Sequence, residues 1–400
     1  MARIIVVGGN FSGLTAALEL RRKLGHDHEV IMISKSLDFL FVPSLIWVPF
    51  GKREIKDITV PLKIVATKAG LKFICTEIIE ILAKDKVVRC RDKDFKYDYL
   101  IIATGPEWIF DQIAGLGLDS KVSFIVTPET ALVARKRWLE FITDPGPVVI
   151  GAAPGSQCTG PAYEFLFNLE KRCRDLGIRK KVEITFITPE PFLGHLGIGG
   201  MTGSNFILKK LLPMFKINYI TNAEIHEVSS ESIILKSGQS IPYKFSMIMP
   251  IFKGAKVVRD STGLGTEDAF IPVNNTYQHK QYPNIFGVGI AADLPIKFRT
   301  PVPIGVPKTG YAADESAKTA AENIVRLLHG NNKLEAKPMG NIPDLCIMDA
   351  GDKEMLTITD SLLKPRRFSM VLPNPFYDLS KLMFEKYYLW KVRHGYSRLP

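Results

Sequence analysis

The feature that most limits how this chain can fold is its first junction, a strand that passes through a glycine turn straight into a helix. Arg3–Val7 is a short β-branched run, Gly8-Gly9-Asn10-Phe11-Ser12-Gly13 is the turn, and Leu14–Leu24 is apolar at helical spacing. Glu29–Ile33 then resumes a buried strand pattern. In such a βαβ unit, backbone N–H groups and the positive end of the helix dipole converge on the turn, where a pyrophosphate can rest. A second copy begins at Pro147–Ile150, turns through Gly151-Ala-Ala-Pro-Gly155, opens a helix near Gly160 and reaches a strand at Val182–Ile187. Short alternating runs between Asn218 and Met249 read as further strands, Asn284–Val288 as another buried strand and Tyr311–Leu328 as another helix. The expected fold is α/β, with two Rossmann-like dinucleotide-binding domains, the second inserted in the first. Residues 1–115 and 265–328 would form the first, 116–264 the second, and 329–400 a C-terminal region.

The two turns differ in what they can hold. Against G-x-G-x-x-G, the first keeps Gly8 and Gly13 with Asn10 in the middle place. The acid that normally ends the second strand and binds ribose is replaced by Ser34 and Lys35, so Ser34 is the candidate partner and Lys35 reads as a solvated charge at the site's rim. Gly8, Gly9, Asn10, Phe11, Ser12 and Gly13 make up the rest of this half-site. In the second turn Gly151 is present, but Ala153 and Ser156 stand where further glycines would be, and no acid ends the strand Thr185-Phe186-Ile187-Thr188. The added side-chain atoms obstruct a close pyrophosphate, so this domain is expected to keep its fold and lose NAD(P)H.

Tyr97-Asp-Tyr-Leu-Ile-Ile-Ala-Thr104-Gly105 is a buried strand ending in small residues, about a hundred residues after the glycine turn. This pairing resembles the two-dinucleotide-domain flavoproteins and implies FAD, with Thr104 and Gly105 beside it. In that superfamily a late Gly-Asp binds the flavin ribityl chain. Here the strand reads Ile285-Phe286-Gly287-Val288-Gly289, with Ile290 in the Asp place, so only Gly289 is carried over.

Charge narrows the partners. Lys and Arg exceed Asp and Glu by 52 to 41, a net +11, and from Lys364 to Pro400 eight basic residues face only Asp378 and Glu385. An anionic lipid surface and nucleic acid both fit such a tail. No stretch reaches the roughly 18 apolar residues of a spanning helix, and Arg3 runs directly into Ile4–Val7 without a signal-peptide pattern. The five cysteines show no CxxC pair and no metal spacing, so no metal site is expected.

Several motifs, taken in order, resemble the sulfide:quinone oxidoreductases. They are Gly151-Ala-Ala-Pro-Gly-Ser-Gln-Cys158-Thr-Gly160-Pro161-Ala162-Tyr163-Glu164, Pro191-Phe-Leu-Gly194-His195-Leu196-Gly197, Thr300-Pro-Val-Pro303 and Pro307-Lys308-Thr309-Gly310-Tyr311. Asp344-Leu-Cys346-Ile-Met-Asp349-Ala-Gly351-Asp352, Leu363-Lys364-Pro365-Arg366 and Phe384-Glu385-Lys386-Tyr387 complete the series, which runs to about residue 396. The resemblance implies a flavoenzyme in which sulfide attacks a sulfur bridge between two cysteines. One thiolate passes two electrons to FAD, sulfur accumulates as persulfide or polysulfide, and a membrane quinone takes the electrons from the other flavin face. Carried over, Cys158 and Cys346 are the redox pair, with Cys346 nearer the flavin, and thiolate chemistry asks for exposure and a positive neighbourhood. Glu164 and His195 are proton-handling candidates, each with a structural reading as a salt-bridged Glu or a capping His. Lys308, with the start of the late helix, would stabilise charge on the reduced flavin. Many relatives carry a third cysteine where Val126 stands here, so FAD is expected to be non-covalent, and Cys75, Cys90 and Cys173 match nothing.

Leu379–Arg393 reads as an amphipathic helix, with Leu379, Leu382, Met383, Tyr387 and Trp390 on one side and Lys381 and Glu385 on another. The apolar loop Phe39–Phe50 joins it as a membrane-facing candidate, and Phe41, Pro43, Phe376 and Phe384 are chosen as quinone walls. The whole reading is a peripheral, monotopic enzyme of the cell membrane acting on sulfide and quinone, on anionic lipid and without nucleic acid, with a homo-oligomer left open. Its rivals are a type II NADH:quinone oxidoreductase, a sulfide-oxidising flavoprotein subunit serving a cytochrome, and a flavin-binding sensor without turnover.

Overall fold

A computed structural model describes residues 1–295, 298–374 and 379–398. The strand Arg3–Val7 lies parallel between Glu29–Ser34 and Tyr99–Ile102, and past their first residues these strands are almost wholly β-branched or apolar and buried. Lys72–Cys75 and Ile285–Gly287 complete this sheet at its two edges. The first helix, Phe11–Leu24, starts inside the glycine turn, three residues before its apolar periodicity begins. Two of the glycines are sterically required: a Cβ on Gly8 would lie 2.1 Å from the Ala103 carbonyl oxygen, and one on Gly13 would lie 2.1 Å from that of Gly8.

The second parallel sheet has the order Val122–Ser123, Phe245–Met249, Val148–Ala152, Ile184–Ile187, Ile217–Ile220. It is completed before the chain returns to supply Ile285–Gly287, so the second unit is inserted in the first. Pro106–Ile109 and Ile251–Gly254 pair antiparallel where the chain leaves and re-enters. The late helix, Gly310–Leu328, packs on the first helix and buries Ala313, Ala317, Ala320 and Ala321, small residues that permit close helix approach. A three-stranded antiparallel sheet follows, Asp344–Asp349, Glu354–Thr359 and Ser369–Asn374, and then the C-terminal helix Leu379–Arg393.

One expectation is overturned here. The apolar loop Phe39–Phe50 is core, not a membrane face. It forms part of a short strand, Asp38–Leu40, and a 3-10 helix, Val42–Trp47, and buries Phe39, Phe41, Leu45, Trp47 and Phe50. Phe39 and Phe41 are fully enclosed by Phe11 and Tyr388, and burial of each is worth about 1.5–3 kcal/mol.

Candidate active site

The first glycine turn presents a cradle with unmet polar atoms. Asn10 stands at the helix start in extended backbone, and its buried Oδ1 has no hydrogen-bond partner among the described residues. The same holds for Thr104 Oγ1, at the end of the neighbouring strand. Leaving such atoms unmet costs about 1–3 kcal/mol each, so the pair asks for a ligand with donors. Gly105, at φ +72°, leaves open space where a side chain would begin. Ser34 is buried, accepts the Ser36 amide at 3.1 Å, and lies against Gly9, where a Cβ would come within 3.1 Å of it. Lys35 is exposed. Gly289 closes on Ser12, 2.4 Å from Ser12 Oγ to the place of a Cβ, and donates to Ser316 Oγ at 2.9 Å. Phe11 packs beneath the turn on Phe39 and Tyr388. These groups fit the dinucleotide half of FAD.

The second turn is closed by the protein itself. The Gly155 amide donates to the Pro303 carbonyl at 2.7 Å, and Gly305 donates to Ser156 at 3.0 Å. Ser156 Oγ donates to Pro250, and the Gln157 amide forks onto the Phe252 backbone at 2.7 and 3.1 Å. An acid does follow the strand Ile184–Ile187, three residues beyond its end, and was missed in the sequence. That acid, Glu190, is fully buried and accepts from Tyr163 Oη at 2.6 Å, Thr188 Oγ1 at 2.8 Å and the Leu196 amide at 2.6 Å. Burial raises its carboxyl above the ordinary range against these donors. It latches the His195 loop and is not available to a ribose.

Cys158 immediately precedes the helix Gly160–Asp175, and Cys346 lies in the strand Asp344–Asp349 opposite Thr357. Both are free thiols and half-buried, and the Cys158 charge is among the influences on Cys346. Of the positive surroundings expected for them, Lys381 is present and lowers Cys346 without offsetting its burial. Burial pushes the Cys158 thiol up to about 12, with the Glu164 charge adding to it. Cys346 is raised further, by burial first and then by Asp344 and Glu164. The carboxylate that adds to burial at both thiols, Glu164, is itself buried, accepts the Asp349 amide at 2.7 Å and is ion-paired to Lys381 Nζ at 2.8 Å. Burial raises its pKa, and Lys381 opposes the rise.

Lys381 is the residue that helical spacing sets apart from the apolar side of the last helix. It is 3% exposed, and its ammonium lies 5.0 Å from the Trp47 ring. Trp47 Nε1 in turn donates to Asp349 Oδ2 at 2.8 Å. A lysine in the register of Glu385, which is also buried, was the available signal.

His195 stands apart from this group. It is buried between Phe192 and Phe298, each with ring centroids at 5.1 Å, and no hydrogen bond joins it to either cysteine among the described residues. Burial, then Lys364 and Arg366, push its pKa down to about 4, so it is a neutral acceptor near pH 7. Lys308 Nζ donates to the carbonyls of Ile290 and Ala292 at 2.8 and 2.6 Å and sits 3.6 Å over the Phe270 ring. Burial takes it down to about 7. Most of its hydrogen-bonding capacity therefore braces the turn where the sequence lacks the ribityl Asp. Val126 is buried in the core, so no thiol is present at that place; Cys75 is exposed, and Cys90 and Cys173 are buried.

The pyridine nucleotide-disulphide oxidoreductase model matches residues 2–317. A sulfide-quinone reductase of Aquifex aeolicus is 36% identical over 98% of this chain and 91% of its own length. The chain belongs to the sulfide:quinone oxidoreductase family. The X-ray structure of the enzyme from Aquifex aeolicus superposes with a TM-score of 0.95 at 35% identity, covering 99% of this chain and 92% of that one. A mitochondrial sulfide:quinone oxidoreductase of Dictyostelium discoideum is 25% identical over 74% of this chain and 66% of its own.

Within this family member the C-terminal helix mixes its faces: it buries Lys381, Glu385 and Lys391 beside Tyr388, Leu389 and Val392, and exposes Leu379, Met383, Phe384 and Trp390 beside Lys386 and Arg393. Lys391 reaches Asp314 at 3.6 Å, Glu385 pairs with Arg53 at 2.9 Å, and Arg398 meets Glu19 at 2.7 Å. Arg366 donates to the carbonyls of Ser361, Gly200 and Ile198. Lys381 and Lys391 of the basic tail are thus internal and Arg366 is half-buried, while Lys364, Arg367, Lys386, Arg393 and Arg398 stay exposed. Among the chosen quinone walls, Phe384 is exposed, Pro43 is exposed, and Phe41 is fully buried 5.9 Å behind Phe384. Phe41 therefore backs a wall and does not line one; Phe376 lies outside the described residues. Among the described residues no helix is long and apolar enough to cross a membrane.

Proposed function

We propose that this chain oxidises sulfide at Cys158 and Cys346, uses non-covalently held FAD, and delivers the electrons to a quinone while resting on a membrane surface. The observation that supports the reading is that the helix following Cys158 packs on the strand holding Cys346, with the Asp349 amide donating to the buried Glu164 at 2.7 Å. FAD, when bound, supplies a two-electron acceptor between thiol and quinone. Asn10, Thr104 and the glycine turn hold its dinucleotide end, and Lys308 stiffens the turn beside it. With the two cysteines joined by a sulfur bridge, HS⁻ adds to one sulfur and releases the other as thiolate, leaving a persulfide. Protons reaching this enclosed site pass to Glu164, whose raised pKa suits it to hold one and whose charge Lys381 balances. Over the cycle, sulfide loses two electrons and quinone gains two electrons and two protons.

The exposed apolar stripe of the C-terminal helix supports a monotopic seat on lipid, with Phe384 at the entry for a lipid-soluble quinone. The self-closed second turn argues against the NADH:quinone rival. Anaerobic sulfide added to the FAD-loaded protein should bleach the flavin, and a short-chain quinone should restore it. Cys158→Ala and Cys346→Ala should each abolish the bleaching. Bleaching by NADH with silence toward sulfide would overturn the assignment.

A further inference from the structure

Beside the His195 loop lies a cleft of about 910 Å³ that the reaction above does not use. On one side is the start of the helix Ser204–Met214, entered through Gly199, Gly200 and Gly203, all at positive φ. On the other side are Lys364, Arg366 and Ser369. Lys364 is exposed and leans on Gly199, with its Nζ 3.4 Å from the place of a Cβ there. Ser369 Oγ bonds Thr202 Oγ1 at 2.9 Å across the mouth. Phe192 forms an aromatic wall and carries His195 on its far side, where the buried Nδ1 has no partner among the described residues. Positive charge, hydroxyls and an aromatic wall together suit a ligand that is anionic at its end and soft along its length.

The cleft is joined to the cysteines by the C-terminal sheet. Cys346 is opposite Thr357, which is opposite Val371; two residues along, Asp344 is opposite Thr359 and Thr359 opposite Ser369. Steps of two keep side chains on one face, so Cys346, Val371 and Ser369 share it. Two strand spacings put Val371 about 10 Å from Cys346. Successive S–S bonds of about 2.05 Å meet at an angle, so a sulfur chain needs more than five of them to cover that distance.

We propose that this cleft binds the anionic end of a short polysulfide, the product of the reaction assigned above, with Lys364 and Thr202 as its main contacts. The inference rests on that reading for the identity of the ligand. No bond forms or breaks in the cleft; it holds charge while the sulfur chain leaves the cysteines.

Two measurements test it. Sodium tetrasulfide is titrated into FAD-loaded protein carrying Cys158→Ala and Cys346→Ala, which cannot exchange sulfur at the pair, and binding is followed by calorimetry. Saturable binding is expected, about tenfold weaker with Lys364→Ala, the scale of one charged hydrogen bond, and weaker again with Thr202→Val. Binding unchanged by both substitutions, or no binding, overturns the proposal, and equal competition by sulfate reduces the cleft to a general anion patch and overturns it too. In turnover, Lys364→Ala on the otherwise native enzyme should bleach with sulfide at the native rate but release shorter sulfur chains. An unchanged chain-length distribution contradicts the proposal. Failure of sulfide to bleach the native flavin removes the assigned reaction alone, because the titration stands independently of it.

Discussion

Lys381→Met isolates the charge at the centre of the site. The substitution keeps an unbranched side chain against Trp47 and removes the only side-chain cation bonded to Glu164 among the described residues. Glu164 then keeps a single bond, from the Asp349 amide, in a buried position. Removing one partner of such a pair costs about 3–5 kcal/mol, since the remaining charge has lost its compensation. The cost depends on pH with a fixed sign. Glu164 already titrates above its ordinary 4.5, so its charged form opposes folding; the penalty is absent below about pH 4.5 and grows as pH rises toward the folded pKa. Without Lys381 that window widens upward. Urea unfolding followed by tryptophan fluorescence should therefore show the full loss at pH 8 and a clearly smaller one at pH 5.5. Adding Glu164→Gln should recover much of it, with a coupling energy up to about 3 kcal/mol in the double-mutant cycle. A loss below about 1 kcal/mol, or one identical at both pH values, would refute the view that this ion pair sets the electrostatics of the cysteine site.

Three further outcomes are expected. His195 has a folded pKa near 4 against 6.5 unfolded, so it contributes about 3 kcal/mol that is present above pH 6.5 and lost as pH falls toward 4; His195→Phe should flatten that part of the pH–stability curve measured by urea unfolding. Gly13→Ala places a methyl 2.1 Å from the Gly8 carbonyl oxygen and should yield folded protein that retains little flavin after gel filtration, read from the visible spectrum. Met383→Asp with Trp390→Asp, both on the exposed face of the last helix, should abolish flotation with anionic vesicles while leaving sulfide bleaching intact; unchanged flotation would put the lipid contact elsewhere.

Much of the fold was legible because it is written locally. Glycine turns after β-branched runs, and helical spacing in Leu379–Arg393, are decided by neighbours in sequence. The pairing of Cys158 with Cys346 comes from resemblance alone, since nothing in their spacing brings them together. What the sequence concealed is how its charges are used. Lys381, Lys391 and Arg398 look like a cationic surface until Glu164, Asp314 and Glu19 come to meet them from other parts of the chain. Glu190 was hidden for a similar reason: its place past a strand end marks a ribose ligand, and only Tyr163 and the Leu196 amide reveal a latch. The Phe39–Phe50 loop was misread because apolar loop residues look alike whether they face lipid or the ring of Tyr388.

The C-terminal helix also bears on the order in which the molecule becomes complete. Its Lys381 and Lys391, with Arg398 just beyond its end, answer carboxylates placed in the middle, the later part and the beginning of the chain, at Glu164, Asp314 and Glu19. Both nucleotide-type units can form their strands and helices while those acids are still wet, and the acids become enclosed when the last helix docks. Docking is then a checkpoint: the step that seals three distant negative charges also turns the greasy stripe of Leu379, Met383, Phe384 and Trp390 outward. Exposed apolar stripe and enclosed interior arrive together, so a half-made molecule lacks both.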